Sequence, residues 1–202
     1  LIGKEAGEME VLGKKRECSN DGKQPEKEIL QQTGVVLAET GFGSYFTIHD
    51  IIPFLEDLYP EFEKDKFLQY CEEYKLPMNK KIKEFSTGMK RKLQIFAAIT
   101  HKAKLLLLDE PTSGLDFDSM TQVAGLIRRL SDMGKVIFIV THDFEFVSRT
   151  CSRILHFDEG EMPDDVPVTM DALPTLRELF SISESRPGRT EHRKSRFCAA
   201  DC

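Results

Sequence analysis

Two short apolar runs limit what this chain can fold into more than any other feature does. They read LLLL at 105–108 and VIFIV at 136–140, and polar residues bound both of them. Uninterrupted apolar runs of this length are typical of strands buried on both faces of a parallel sheet. The intervening segment 117–133 has the length of a helix and is followed by Gly134, a residue that commonly ends helices. Together they predict a right-handed strand–helix–strand unit.

The remaining strands are predicted to be short and to lie on either side of this unit. Residues 8–12 and 33–38 are predicted strands, and the polar segment 14–27 between them predicts a surface loop. Residues 153–157 predict a strand that enters a turn. From Glu184 onward the composition is that of a disordered tail.

Three helices are predicted to interrupt the sheet between residues 47 and 101. Thr47 is a plausible N-cap for the first of them, and FEKDKFLQYCEEY at 62–74 has apolar residues at helical spacing. Ser86 is predicted to cap the third helix, and basic residues cluster near its start, where they oppose the helix dipole. Its apolar face is predicted to contain Leu93, Phe96, Ala97 and Thr100. Two further helices are predicted at 144–150 and 171–180.

Composition narrows the class of protein. Hydrophobic residues make up 40% of the chain and charged residues 31%, which is ordinary for a soluble globular protein. No apolar run approaches the roughly 20 residues that span a bilayer. The formal charge of -6 argues against a general nucleic-acid binder, which usually has a basic surface. We therefore expect no membrane span and no nucleic-acid partner.

The five cysteines are scattered, with no CxxC pair. This pattern predicts that the chain has no disulfide framework. Cys71 and Cys151 have apolar neighbours in the sequence, so we expect them to be small buried hydrophobes, as suits a reducing cytoplasm.

Polar residues follow both apolar runs at the point where each predicted strand ends. Asp109 and Glu110 follow LLLL, and Thr141, His142 and Asp143 follow VIFIV. Ligands of open α/β sheets collect at the carboxyl ends of the strands, and parallel neighbours bring those ends to one edge. We therefore expect Glu110 and His142 to lie close together in a site.

The order of three motifs identifies a family resemblance. LLLLDEPTSGLD resembles the Walker B motif and D-loop of ABC transporter ATP-binding domains, FSTGMKRKL resembles their signature motif, and His142 resembles their switch histidine. The resemblance implies an α/β fold of the P-loop NTPase type, a mostly parallel sheet flanked by helices with an inserted helical subdomain at about 45–101. It covers residues 1–162, and residues 163–202 are expected to form a partly disordered extension.

The resemblance also implies roles for individual residues. Asp109 would hold Mg²⁺, Glu110 would polarise the water that attacks ATP, and His142 would contact the γ-phosphate. Ser86 and Gly88 would close over ATP bound to the opposite subunit, with Asp116 beside it at the dimer interface.

The family's partners and location are expected to carry over with these roles. The expected partners are a second ATP-binding subunit, either identical to this one or different, and a transmembrane permease that residues 47–84 contact. The location would be cytoplasmic, peripheral on the inner face of the cell membrane.

The sequence departs from the family pattern at several positions. It contains no G-x-x-x-x-G-K-[ST] loop, so we expect the chain to begin just after that loop and to bind ATP weakly. Counting from GVVLA puts Ala38 at the usual glutamine position, and the adjacent Glu39 is either a metal or water contact or a solvated loop acid. The signature has Thr87 and Met89 in place of the usual glycine and glutamine. The signature motif and the residues after His142 resemble different subfamilies of ABC transporter, so the sequence leaves the transport direction open.

Two rival functions are compatible with the motifs. One is a soluble ABC ATPase in translation or DNA repair, which would normally show paired units, a long coiled-coil insert or a basic face. The other is a non-hydrolysing interaction module, which the missing loop favours.

Overall fold

A computed structural model describes residues 9–16, 27–37, 41–158, 161–182 and 197–200. Its first elements are β1 (Met9–Val11), β2 (Lys14–Arg16), α1 (Lys27–Gln31), β3 (Thr33–Val36), α2 (Ile48–Leu58), α3 (Lys64–Glu73), a 3₁₀ turn (Ile82–Glu84) and α4 (Thr87–Ile99). They are followed by β4 (Leu105–Asp109), α5 (Phe117–Asp132), β5 (Val136–Val140), α6 (Phe144–Thr150), β6 (Arg153–Asp158), β7 (Glu161–Pro167), α7 (Leu173–Ile182) and β8 (Phe197–Ala200).

The main sheet has the strand order β3-β4-β5-β8-β6-β7. Strands β3, β4 and β5 are parallel neighbours, which confirms the predicted parallel unit, with Leu107 opposite Val35 and Phe138. The other half is antiparallel: β8 pairs antiparallel with both β5 and β6, and β6 pairs antiparallel with β7. The sheet is therefore parallel where the predicted site lies and mixed as a whole. Strands β1 and β2 form a separate antiparallel pair.

The helices between β3 and β4 occupy the place predicted for the insert. Thr47 caps α2 through a reciprocal pair of bonds: the Asp50 amide donates to its hydroxyl, and the Thr47 amide donates to the Asp50 carboxylate. Phe96 of α4 is fully buried and stacks on Tyr70 of α3, with ring centroids 5.4 Å apart. Aromatic packing therefore joins the insert to the helix that follows it.

Helix α4 differs from its prediction. It was expected to bury one face, but every residue from Arg91 to Ile99 is buried. On one side Ala98 packs against β3, where a side chain at Gly34 would meet the Ala98 carbonyl oxygen at 2.6 Å. α3 and α5 also contact the helix. Because the helix is enclosed in this way, Arg91 and Lys92 are buried together with its apolar residues.

Several predictions for the ends of the chain need correction. The predicted loop at 14–27 begins with β2 and ends at the first residue of α1, while residues 17–26 lie outside the described part. The expected domain end at Met162 falls inside β7. Residues 197–200 of the expected disordered tail form a strand of the main sheet.

The cysteine prediction is half right. Cys71 and Cys151 are both buried as expected, and Cys71 is a free thiol, whereas Cys151 is disulfide-bonded and so does not act only as a small hydrophobe. No helix in the described part of the chain is both long enough and apolar enough to cross a bilayer.

Candidate functional site

The parallel register brings the two predicted strand ends together. Asp109 is the last residue of β4 and lies opposite Val140, the last residue of β5. The Glu110 amide continues the ladder by donating to the Val140 carbonyl at 2.8 Å. Residues that follow β4 and β5 therefore share one edge of the sheet.

Glu110 and His142 are in direct contact at this edge. Nδ1 of His142 lies 2.8 Å from Oε1 of Glu110, and the second carboxylate oxygen accepts from the Thr141 hydroxyl at 3.1 Å. An ionised carboxylate only accepts hydrogen bonds, so Nδ1 holds the proton and donates it. Nε2 of His142 is left to face outward on a side chain that is 74% exposed, whereas Glu110 is only 24% exposed.

Glu110 has an unusual backbone conformation. Its φ is +43°, in the left-handed region that residues other than glycine rarely adopt. Such a conformation costs roughly 1–2 kcal/mol, and the surrounding structure must offset that cost. The amide bond to Val140 and the two bonds to the carboxylate fix Glu110 in this position.

Thr141 also belongs to the site, although its place after a strand predicted no particular role for it. It is 1% exposed, and besides donating to Glu110 its hydroxyl accepts from the Asp143 amide at 3.2 Å. Asp143 in turn caps α6 by accepting from the Phe146 amide at 3.0 Å. The sequence signal available was THD, a hydroxyl directly after a buried strand.

Arg91 is a second such residue. It is 3% exposed, and its guanidinium donates to the carbonyl of Leu37, just beyond the end of β3. Burial lowers the pKa of Arg91, while the nearby charges of Asp109 and Glu110 raise it. This buried cation therefore lies in the field of both site carboxylates.

The signature residues and Asp116 form a second group around the first turns of α4 and α5. Ser86 caps α4 by accepting from the Met89 amide at 3.2 Å, and Asp116 caps α5 by accepting from the Ser119 amide at 2.8 Å. The Ser119 amide and hydroxyl bonds hold the pKa of Asp116 below its usual value. Gly88 packs directly on Ser119. Glu39 lies outside the described residues.

The described residues contain no group of three or more potential protein ligands that would hold a metal by themselves. Mg²⁺ does not need such a group, because it is usually bound by one or two carboxylates together with substrate phosphates and water. Asp109, partly exposed at the end of β4, fits that requirement. A cavity of about 470 Å³ lies elsewhere, at the amino ends of β3 and β4, and is lined by Gln32, Tyr59, His101 and Lys104.

This fold, with an acid pair and a histidine at one sheet edge and a serine-capped helix between strands, defines the class of ATP-binding domains found in ABC transporters. A family model described as "AAA domain, putative AbiEii toxin, Type IV TA system" matches residues 38–148, more than half of the chain. The chain belongs to this AAA-domain family, as an ABC-type ATP-binding domain.

Curated relatives agree with this assignment. The chain is 42% identical over 82 residues to the linearmycin resistance ATP-binding protein LnrL of Bacillus subtilis, covering 41% of the chain and 26% of the relative. It is 28% identical over 143 residues to the ABC transporter ATP-binding protein YdbJ of the same species, covering 69% of the chain and 46% of the relative. The chain thus spans less than half the length of both.

Solved structures share the fold. The dimeric post-hydrolysis state of the ATP-binding cassette MJ0796, bound to ADP and Pi, matches with a TM-score of 0.67 at 21% identity, covering 82% of this chain and 75% of that one. An ATP-binding subunit of an ABC transporter matches with a TM-score of 0.68 at 18% identity, covering 79% of this chain and 71% of that one. At these identities the likeness shows the fold alone.

Proposed function

We propose that this chain is the catalytic part of an ATP-hydrolysing subunit that drives a membrane-embedded transport partner. The observation that carries the proposal is the bonded group of Glu110, Thr141 and His142 at the carboxyl ends of two parallel strands. Metal-assisted attack of water on a phosphoryl group needs a ligand for the metal and a group that orients the water, and Asp109 and Glu110 are suited to these two parts.

Each residue of this edge has a distinct part in the reaction. Asp109 would hold Mg²⁺, which when bound neutralises charge on the phosphates. Glu110 takes the proton of the attacking water, and its bonds to Thr141 and His142 aim it. General-base assistance of this kind typically contributes about 10²- to 10⁴-fold, or roughly 3–5 kcal/mol of barrier.

His142 reports on the terminal phosphate in this scheme. Because its Nδ1–H group donates to Glu110 and the side chain is largely exposed, Nε2 is the nitrogen that would contact a bound phosphate. A neutral ring presents a lone pair there, and a protonated ring presents a donor to a phosphate oxygen. The charge of this ring therefore decides whether it attracts the γ-phosphate.

The second group of residues would act on a nucleotide held by another subunit. Ser86 and Gly88 start α4, and the N-terminus of a helix directs free amides and partial positive charge at an anion. Asp116 starts α5 beside them.

The partners of the chain are inferred from the proteins that it resembles. The dimeric MJ0796 cassette bound to ADP and Pi supports a paired arrangement, and relatives named as ABC transporter ATP-binding proteins support a permease partner. The proposed location is the cytoplasmic face of the cell membrane.

The test measures Mg²⁺-dependent ATP hydrolysis by the chain, by its Glu110→Gln variant and by Glu145→Gln. Glu145 is a matched control, because it is an exposed acid on α6 whose carboxylate bonds only to Arg149 among the described contacts. The 202 residues contain no G-x-x-x-x-G-K-[ST] loop, so hydrolysis by them alone is expected to be slow. If the reading frame is longer, its full product is assayed alongside.

The expected result is hydrolysis that falls by about 10²-fold or more in Glu110→Gln and is unchanged in Glu145→Gln. ATP binding, measured by titration with a fluorescent ATP analogue, should survive Glu110→Gln. Hydrolysis that is indifferent to Glu110 would refute its assignment as the base. ATP binding without any hydrolysis in the full product would favour the non-hydrolysing interaction module.

A further inference from the structure

The first turns of α4 and α5 touch at one tightly packed point. A Cβ placed on Gly88 would lie 2.8 Å from the Ser119 hydroxyl oxygen, 3.1 Å from its Cβ and 3.6 Å from Leu115. Real Cβ atoms essentially never come within 3.0 Å of another heavy atom in this way, so only glycine fits here unless Ser119 moves. The same junction continues at Gly114, where a Cβ would lie 3.5 Å from Thr87.

Ser119 is not free to move, because Asp116 holds it. Its hydroxyl donates to one carboxylate oxygen of Asp116 at 3.1 Å, and its amide donates to the other at 2.8 Å. One small side chain thus contacts Gly88 on one helix and fixes the cap of the other.

One turn further along, a second bond joins the same two helices. The Lys92 ammonium, which is largely buried, donates to the side-chain oxygen of Gln122 at 2.6 Å. Burial lowers the pKa of Lys92, while the charge of Asp116 raises it. The two helices therefore have both a steric contact and a polar bond on the same side.

We propose that Ser119 is a positioning residue that locks the start of α4 to the first turn of α5, so that Ser86, Gly88 and Asp116 move as one body. The proposal rests on the proposed function, in which these three residues face one nucleotide of a partner subunit. It also explains why position 88 is a glycine: Ser119 occupies the space that a larger side chain would need.

The test is a double-mutant cycle of Gly88→Ala and Ser119→Gly, read by amide hydrogen exchange without nucleotide or partner. The first change forces a methyl group into Ser119, and the second removes the atoms it would meet. Gly125→Ala is the matched control, since Gly125 is also a helical glycine but has no atom within 4 Å of its would-be Cβ.

Overpacking of this kind should speed exchange of the amides at 90–93, which donate to the carbonyls of the first turn, by about 10- to 100-fold in Gly88→Ala. In the Ser119→Gly background, adding Gly88→Ala should change that exchange by less than about 3-fold, because the obstructing atoms are gone. Gly125→Ala should leave exchange of the 90–93 amides unchanged, because its Cβ would meet no atom within 4 Å.

Equal effects of Gly88→Ala with and without Ser119 would overturn the proposal. If Gly88→Ala does not fold, recovery of folding by the double variant supports the lock, and failure to recover refutes it. The measurement needs no ATP, so a lock that fails here leaves the proposed hydrolysis untouched. Likewise, loss of the Glu110 assignment would not alter the exchange result.

Discussion

Thr141→Val tests whether the buried hydroxyl beneath the site is what holds Glu110 in place. The substitution keeps the shape of the side chain and removes two hydrogen bonds, the one to the Glu110 carboxylate at 3.1 Å and the one from the Asp143 amide at 3.2 Å. Thr141 is 1% exposed, so water does not replace these bonds without rearrangement.

The size of the effect follows from the two bonds. A hydrogen bond to a charged group contributes roughly 1.5–3 kcal/mol, and a buried donor left without a partner costs roughly 1–3 kcal/mol. Two effects reduce the sum of these two energies. Glu110 is 24% exposed, so its carboxylate can form a hydrogen bond with water instead, and valine buries one more apolar group than threonine does. We therefore expect the free energy of unfolding to fall by about 1–3 kcal/mol.

Urea unfolding of the wild type, Thr141→Val and Thr141→Ser measures this loss. Serine keeps both bonds and loses only a methyl group, so it should cost about 1 kcal/mol or less. Combining Thr141→Val with Glu110→Ala should show a coupling energy of about 0.5–2 kcal/mol, since either change removes the bond between the Thr141 hydroxyl and the Glu110 carboxylate. Serine as damaging as valine, or additive costs in the double variant, would refute the idea that the hydroxyl anchors Glu110.

Four other outcomes are expected from the caps and from the buried side chains. Thr47→Ala should lower stability by about 0.5–2 kcal/mol by breaking the α2 cap, as measured by thermal melting. Hydrogen bonds from the Thr47 amide and hydroxyl lower the pKa of Asp50. The Asp50 carboxylate should therefore stabilise the fold above its unfolded pKa near 3.8, and this stabilisation should be lost as the pH falls through its lower folded pKa. An Asp50→Asn variant whose melting temperature keeps the same dependence on acid pH would contradict this. Burial raises the pKa of Cys71 to about 12, so iodoacetamide at pH 8 should label it only after unfolding, and labelling of the native chain at Cys71 would show the thiol to be accessible. Phe96→Ala should cost about 3–5 kcal/mol in urea unfolding, and a cost below about 2 kcal/mol would mean that Tyr70 and its neighbours collapse into the space.

The site edge was predictable because its signals are local. The length and apolar character of 105–108 and 136–140 indicate buried parallel strands, and parallel pairing then places Glu110 and His142 together without further information. The caps at Thr47 and Ser86 were equally readable, since an N-cap depends on a residue and the amides three positions later.

What escaped prediction depends on contacts between distant parts of the chain. Nothing local in 197–200 indicates that the segment enters a sheet between β5 and β6. The polar sequence of α4 suggests a surface, yet Arg91 is buried because its partner is the carbonyl of Leu37, 54 residues away. Thr141 was not predicted for a different reason. A hydroxyl after a strand is common, and only the structure shows that this one donates a hydrogen bond to Glu110.

The length of β4 is under as strict a constraint as the identity of the acids that follow it. Side chains alternate along the strand, so Leu106 and Leu108 are buried on one face while Leu107 and Asp109 belong to the other. A one-residue insertion or deletion within Leu105–Asp109 would exchange these faces, turning Asp109 toward the α4 side of the sheet. It would also move Glu110 away from its bond to Val140. Among homologous sequences, gaps should therefore be absent from this segment even where its leucines are replaced by other apolar residues.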